Sequence, residues 1–208
     1  MGTKFSTRIW VSVVGIASIF FGSKGYADTV ISVADFGLKP DTRESAVAYV
    51  QKAKEACRGK EPVTLVFPEG RYDFWPQYAH EKNYYETNTY DVFPKRLAML
   101  FEGLHNITVD GNGSQFVMHD RIQPITVENC DGVTLKNFSI DWDIPLTAQA
   151  RVTKVGSDFF EIEINVLESP YIIEDGKLVF VGEGWKSALG SMIEFESDTH
   201  FVVPGTGD

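Results

Sequence analysis

Three kinds of periodicity run along the chain. "DTVISVADFG" begins with the alternation of a short strand and ends on a glycine turn. "DTRESAVAYVQKAKEAC" places Val47, Val50, Ala53 and Cys57 at helical spacing, which predicts an amphipathic helix with one apolar face. Asp41 and Glu44, three residues apart, have the spacing of a capping box, and Gly59 follows as a stop. "VTLVFPEGRYDF" then reads as a buried strand, a Pro-Glu-Gly turn and a second strand, rich in the β-branched and aromatic residues that pleated surfaces favour.

From Leu97 onward the helical period is replaced by an internal offset. "MLFEGLHNITVDG" and "ITVENCDGVTLKN" superpose, so that Glu102 matches Glu128, Ile107 matches Val133, Thr108 matches Thr134 and Val109 matches Leu135, each pair 26 residues apart. A constant offset of that size is the mark of a coil that stacks on its neighbour and buries a core neither coil could bury alone. The same period of two, continued through "NCDGVTLKNFSIDWD", would turn Asn137, Ser139, Asp141 and Asp143 inward. A corner is therefore expected near Lys136-Asn137, after which Phe138, Ile140 and Trp142 point in and Ser139, Asp141 and Asp143 point out. Beyond Pro145 the pattern changes to two alternating strands around Gly156-Ser157-Asp158, a hairpin that reads as the start of an inserted β-subdomain, which "GKLVFVGEG" could extend.

These segments predict an all-β fold: a right-handed parallel β-helix with an amino-terminal capping helix and the start of an inserted antiparallel β-barrel subdomain. Residues 1–27 read as a signal peptide, with Lys4 and Arg8 as a basic start, Ile9 to Phe21 as an apolar stretch and Gly25-Tyr26-Ala27 as a cleavage site. Residues 28–147 would hold the cap and first coils, and 148–208 the incomplete inserted subdomain. Thirteen apolar residues fall short of the ~20 that cross a bilayer, so the protein is expected to be exported, periplasmic or extracellular, without integral membrane association. A chain whose last coil is left uncovered is expected to be an amino-terminal portion of something longer.

Composition narrows the partners. The 208 residues carry a formal net charge of -10 with no basic run, which argues against nucleic acid. Only Cys57 and Cys130 are present, too few to build a disulfide scaffold, and both are expected to be buried and free, although spacing alone does not decide whether they meet. His80, His105, His119 and His200 are scattered, no Cys or His pair has zinc spacing, and "DGNGSQ" lacks the closing Glu of a calcium loop. No metal or other cofactor is expected, and Asp110 to Gln115 reads as a turn.

The candidate chemistry lies in three places. Asp141 and Asp143, two apart on a strand, would emerge on one face near the lower edge of the ~6.5–9.5 Å carboxyl separation of inverting glycosidases, though nothing nearby in sequence would raise one pKa above the other. They are weak catalytic candidates, set against solvent-facing or corner-capping aspartates. "YDFWPQYAHEKNYYETNTYDVF" is an aromatic-rich loop in which Trp75, Tyr84 and Tyr85 are either a sugar-binding rim or part of an insertion packed on the helix cap. His119 and Asp120, followed by Arg121, are a third candidate for holding a hydroxylated ligand, beside the plainer reading of a charged corner. Trp142 could stack on a sugar, but the register buries it.

The block "SVADFGLKPDTRESAVAYVQKAKEAC" with "VTLVFPEGRYDF" resembles the amino-terminal part of pectin-lyase-like β-helix proteins. "NITVDGNGSQFVMHD", "VTLKNFSIDWDIP" and the hairpin region after them resemble glycoside hydrolase family 110, secreted bacterial α-1,3-galactosidases. The resemblance covers about residues 28 to 208. It implies an exo-acting, metal-independent, inverting hydrolase that removes terminal α-1,3-linked galactose from glycans such as blood group B or linear α-galactosyl epitopes. It also implies that the acid and base lie in later coils, so that this chain alone is inactive. A polysaccharide lyase or galacturonan hydrolase, or a non-catalytic glycan-binding β-helix, are the alternatives on the same fold.

Overall fold

The computed structural model describes residues 29–84 and 94–206; the expected leader and Tyr85 lie outside them. Strand β1 (Thr29–Ser32) gives way at once to a turn of 3-10 helix, Val33–Phe36. The capping box sits here: the Ser32 hydroxyl accepts from the Ala34 N–H, and the Asp35 carboxylate accepts from the Ser32 N–H.

Helix α1 (Val47–Glu55) begins later than Asp41, and the box expected at Asp41 and Glu44 does not form. Asp41 and Arg43 adopt left-handed φ values of 61° and 62°, incompatible with a first helical turn. The Asp41 carboxylate is spent instead on the Arg71 N–H at 3.0 Å, while the Asp41 N–H donates to the Arg71 carbonyl at 2.8 Å. The chain before the helix is thus a bent segment tied to the strand that carries Arg71. The predicted apolar face is in place, with Val47, Val50, Ala53 and Cys57 all buried.

Five of the next strands follow the helix in sequence order as β2 (Val63–Val66), β3 (Arg71–Phe74), β4 (His80–Lys82), β5 (Lys95–Glu102) and β6 (His105–Met118). Then come β7 (Gln123–Glu128) and β8 (Asp131–Trp142). They pair in parallel: β1, β2, the first half of β6 and the first half of β8 lie side by side. The second halves of β6 and β8 continue beside β3, which also bridges Ser45 in parallel on its far edge. A separate parallel pair joins β5 to β7. The partners found in the register are those 26 residues apart, Ile107 with Val133, Thr108 with Thr134, Val109 with Leu135 and Glu102 with Glu128. The loop after Trp75 is not wholly irregular, since β4 pairs antiparallel with β5.

The corner falls at Asn137. Its φ is 59°, and the register shifts there because Asp110 pairs Lys136 but Ser114 pairs Phe138. Asparagine suits this position because its short amide tolerates the left-handed region and bonds locally. Here the Asn137 amide donates to Asp110 Oδ1 at 2.9 Å, the same oxygen that accepts the Asn112 N–H. "DGNGSQ", expected as a turn, lies inside β6 and only bends it, at Asn112 and Gly113 with φ of 50° and 84°. After the corner Phe138 and Trp142 pack on the core. Phe67, Phe116 and Phe138, one from each successive layer, stack with centroids 4.8 and 4.7 Å apart. Ile140, also expected inward, remains exposed, as does Leu135, because β8 is the last strand of the stack among the described residues.

Residues 148–206 form separate antiparallel sheets. β9 (Arg151–Val155) and β10 (Phe160–Glu163) make the hairpin expected around Gly156. β11 (Tyr171–Glu174), β12 (Lys177–Gly182) and β13 (Trp185–Ala188) form a three-stranded sheet of their own, so "GKLVFVGEG" supplies β12 and continues the antiparallel region as a second sheet. The molecule is therefore all-β apart from α1 and its short 3-10 turns. Both cysteines are free. Cys57 is buried, and burial pushes its thiol up to about 11. Cys130, expected to be buried, is only half so, because its sulfur sits at a coil edge, bonded to the Leu104 N–H and the Phe101 carbonyl.

Candidate functional site

Alternation along β3 turns Tyr72 and Phe74 into the core and Arg71 and Asp73 to the opposite face. That face is not open to water. The segment leading into α1 lies over it, with the Ala46 N–H donating to the Asp73 carbonyl at 2.8 Å, and the Asp73 side chain is fully buried. A buried carboxylate needs partners, and Asp73 has several. Arg71 donates through Nε at 3.0 and 3.1 Å and through Nη2 at 2.6 Å, and His119 Nε2 lies 2.8 Å from Oδ1. Burial pushes the Asp73 carboxyl up, but the hydrogen bonds from Arg71 and His119 outweigh it and hold the group below the usual carboxylate range.

His119 extends this cluster in two directions. Its Nδ1 meets both carboxylate oxygens of Glu183, at 2.9 and 3.0 Å. The Trp75 indole stacks flat on its ring, centroids 3.6 Å apart and planes 5° from parallel, and Trp75 Nε1 donates to the Arg43 carbonyl. Asp120, at a left-handed φ of 56°, donates its N–H to Glu183 and accepts at its carbonyl from Trp142 Nε1.

Asp143 completes the cluster from just past the end of β8, where its own N–H donates to the Met118 carbonyl. Arg71 Nη2 donates to Asp143 Oδ1 at 2.6 Å and Arg43 Nη1 at 3.0 Å. The Arg71 hydrogen bond, partly opposed by burial and reinforced by Arg43, holds the Asp143 carboxyl below its ordinary range. Arg71, shared between Asp73 and Asp143, is in turn made more basic, first by its bond to Asp73.

The sequence candidates are thus sorted by the fold. Trp75, His119, Asp120 and Asp143 share one cluster. Asp141 does not join them: its Oδ1 accepts from the neighbouring Trp142 N–H at 2.8 Å, on an exposed edge. Tyr84 lies on the other sheet, where its hydroxyl donates to Glu128 and Lys82 Nζ bridges Glu102 and Glu128 at 3.0 and 2.5 Å. Arg43, Arg71, Asp73 and Glu183 were not candidates. "RYDF" carried a usable signal, because an arginine and an aspartate two apart on a strand with inward aromatics must share the outer face. Glu183 carried none, sitting between two glycines of a tight turn.

His119, Asp143 and Glu183 each offer a ligand atom within 4.8 Å of the others. Their chemistry does not suit a cation. Both His119 nitrogens already face carboxylates, and Asp143 is bracketed by two guanidinium groups that would repel a metal. Neither Asp73 nor Asp143 has the raised pKa a general acid needs, since both are pulled down. The exposed edges of Arg43 and Asp143 are the part of the cluster that a hydroxylated ligand could reach.

The antiparallel region carries a specific match: residues 148–208 fit the family model of GLAA-B β-barrel domain I. The chain belongs to the α-1,3-galactosidase family, glycoside hydrolase family 110. It is 59% identical over 182 residues to α-1,3-galactosidase B of Bacteroides thetaiotaomicron, covering 88% of this chain and 30% of that protein. It is 36% identical over 169 residues to α-1,3-galactosidase A of Shewanella woodyi (80% and 28%). With α-1,3-galactosidase B of Parabacteroides distasonis the identity is 32% over 207 residues (96% and 33%). The chain spans about a third of the length of these curated relatives.

Proposed function

We propose that this chain supplies the first coils and part of a β-barrel region of an exo-α-1,3-galactosidase, an inverting hydrolase that removes terminal α-1,3-linked galactose from glycans. The observation that carries the reading is the 59% identity to α-1,3-galactosidase B, which extends through both the coil region and the β-region. The parallel pairing of β2, β6 and β8 at a 26-residue offset supports a parallel β-helix, and we take its hand to be right. Export to the periplasm or beyond suits a glycan-degrading enzyme and the basic, then apolar, start of the sequence. Among the described residues no helix is long and apolar enough to cross a membrane.

In this reading the cluster around His119 is a supporting wall of the enzyme and the acid and base lie outside the chain. Asp143, neutralised by Arg43 and Arg71, is better placed to fix geometry than to take up a proton. The test is galactose release from a Galα1-3Gal disaccharide, with the first-formed anomer followed by NMR. A longer protein containing this chain is expected to release β-galactose first. Initial release of α-galactose would overturn inversion, and turnover by residues 28–208 alone would put the catalytic pair inside the chain.

A further inference from the structure

The strands of residues 151–188 share no sheet with the coil stack. Among the described residues the turn Gly182-Glu183-Gly184-Trp185, between β12 and β13, is seated on the corner His119-Asp120-Arg121. The hydrogen bonds that cross between them among the described residues end on Glu183, whose carboxylate meets His119 Nδ1 at 2.9 Å and the Asp120 N–H at 3.2 Å. Gly184 lies so close that a β-carbon added to it would stand 2.5 Å from Asp120 Oδ2, and its φ of +75° already disfavours any side chain. The Arg121 guanidinium lies over the Trp185 ring, 6.0 Å from its centroid. From below, Trp142 Nε1 holds the Asp120 carbonyl, and Arg96 stands 3.8 Å from the Asp120 carboxylate.

We propose that this turn is a docking key that seats the antiparallel β-region on the coil stack and closes the face occupied by His119 and Asp73. His119 is only 1% exposed, yet it stands at a corner between strands of the stack. Glu183 from the turn covers one ring nitrogen, and Trp75 covers one ring face. The corner supplies complementary parts for each element of the turn: a ring nitrogen and an N–H for the carboxylate, a small clearance for the glycine, a cation for the indole. With the key lifted, His119 Nδ1 would face solvent beside Asp143 and Trp75, so the docked turn forms one wall of the cluster and controls access to it. This inference stands on contacts within the chain and does not depend on the galactosidase reading.

Amide hydrogen exchange of the 208-residue chain tests it, because the Asp120 N–H is protected by Glu183 itself. Glu183→Gln weakens the charge-assisted bonds, and Gly184→Ala spoils the fit without touching a charged group. Both variants are expected to speed exchange at Asp120 and in residues 182–185 at least tenfold, with β2 and the first half of β6 unchanged. Unchanged exchange at Asp120 in both variants would overturn the proposal. So would an equal loss of protection in β2 and β6 with Gly184→Ala, since the turn would then be an ordinary part of one cooperative core.

Discussion

In β6, the side chains of Ile107, Val109, Phe116 and Met118 are sealed from water, whereas Val155 in β9 is 75% exposed and Leu167, in the loop after β10, 84%. Both regions alternate apolar and polar residues with equal regularity. The difference lies in what each strand rests on. β6 has parallel neighbours on both sides, β2 and β3 on one and β8 on the other, and its inward residues meet other buried residues of the core. The small antiparallel sheets find much less cover among the described residues: Val179 in β12 is buried, but most apolar side chains of β9, β10 and β11 stay exposed. Alternation thus predicts which residues point together; burial requires a second layer.

Removing the centre of the aromatic column is the most forceful way to probe that contrast. Phe116 is fully buried and touches Phe67, Tyr72, Phe74 and Phe138. Phe116→Ala is expected to cost about 3–5 kcal/mol, measured by urea denaturation followed through the coil-region tryptophans Trp75 and Trp142. Amide exchange should rise in β2, β6 and β8 while the β9–β10 pairing keeps its own protection. Equal loss in β9 and β10 would show that the two regions unfold as one unit and would break the comparison.

The polar side of the coil region gives a pH-dependent version of the same test. Asp73 and Asp143 are held below the ordinary carboxylate range when folded, so they contribute stability that is fully present above the unfolded carboxylate pKa of about 4. That contribution is lost as the pH falls through their depressed folded values. The urea midpoint of the coil region is therefore expected to drop on acidification. Asp143→Asn, which keeps the shape but not the charge opposite Arg43 and Arg71, should lower the midpoint at neutral pH and flatten its decline below about pH 4. An unchanged acid slope in the variant would mean that the Asp143 bonds are too exposed to matter.

Much of this architecture could be read from the sequence, and the parts that could not share a physical reason. The 26-residue offset fixed pairs such as Ile107 with Val133 because identical spacing in a stacked coil is a one-dimensional property. The corner at Asn137 followed from asking where the period of two must break. The capping box at Asp41 failed because a helix signal is local, while the Asp41 carboxylate is claimed by Arg71, thirty residues on and on a neighbouring strand. The cluster was half legible for the same cause. Trp75, His119, Asp120 and Asp143 looked polar or aromatic enough to be noticed, but Asp73 and Glu183 take their meaning only from where the coils and the turn bring them.

The mildest change is aimed at the exposed region. Leu167 follows the β9–β10 hairpin in a turn whose N–H bonds the Asn165 side chain, and its own side chain meets almost nothing. Leu167→Ser is expected to shift stability by no more than about 0.5 kcal/mol, as surface substitutions do when no packing is lost. It should also reduce self-association of the chain, because exposed apolar side chains such as Val166 and Leu167 favour contacts between molecules. Sedimentation of the two proteins at equal concentration separates the effects. A loss of stability comparable to that of Phe116→Ala would mean that Leu167 is packed in solution, and the distinction between a coil that buries its alternation and a sheet that does not would fail at that residue.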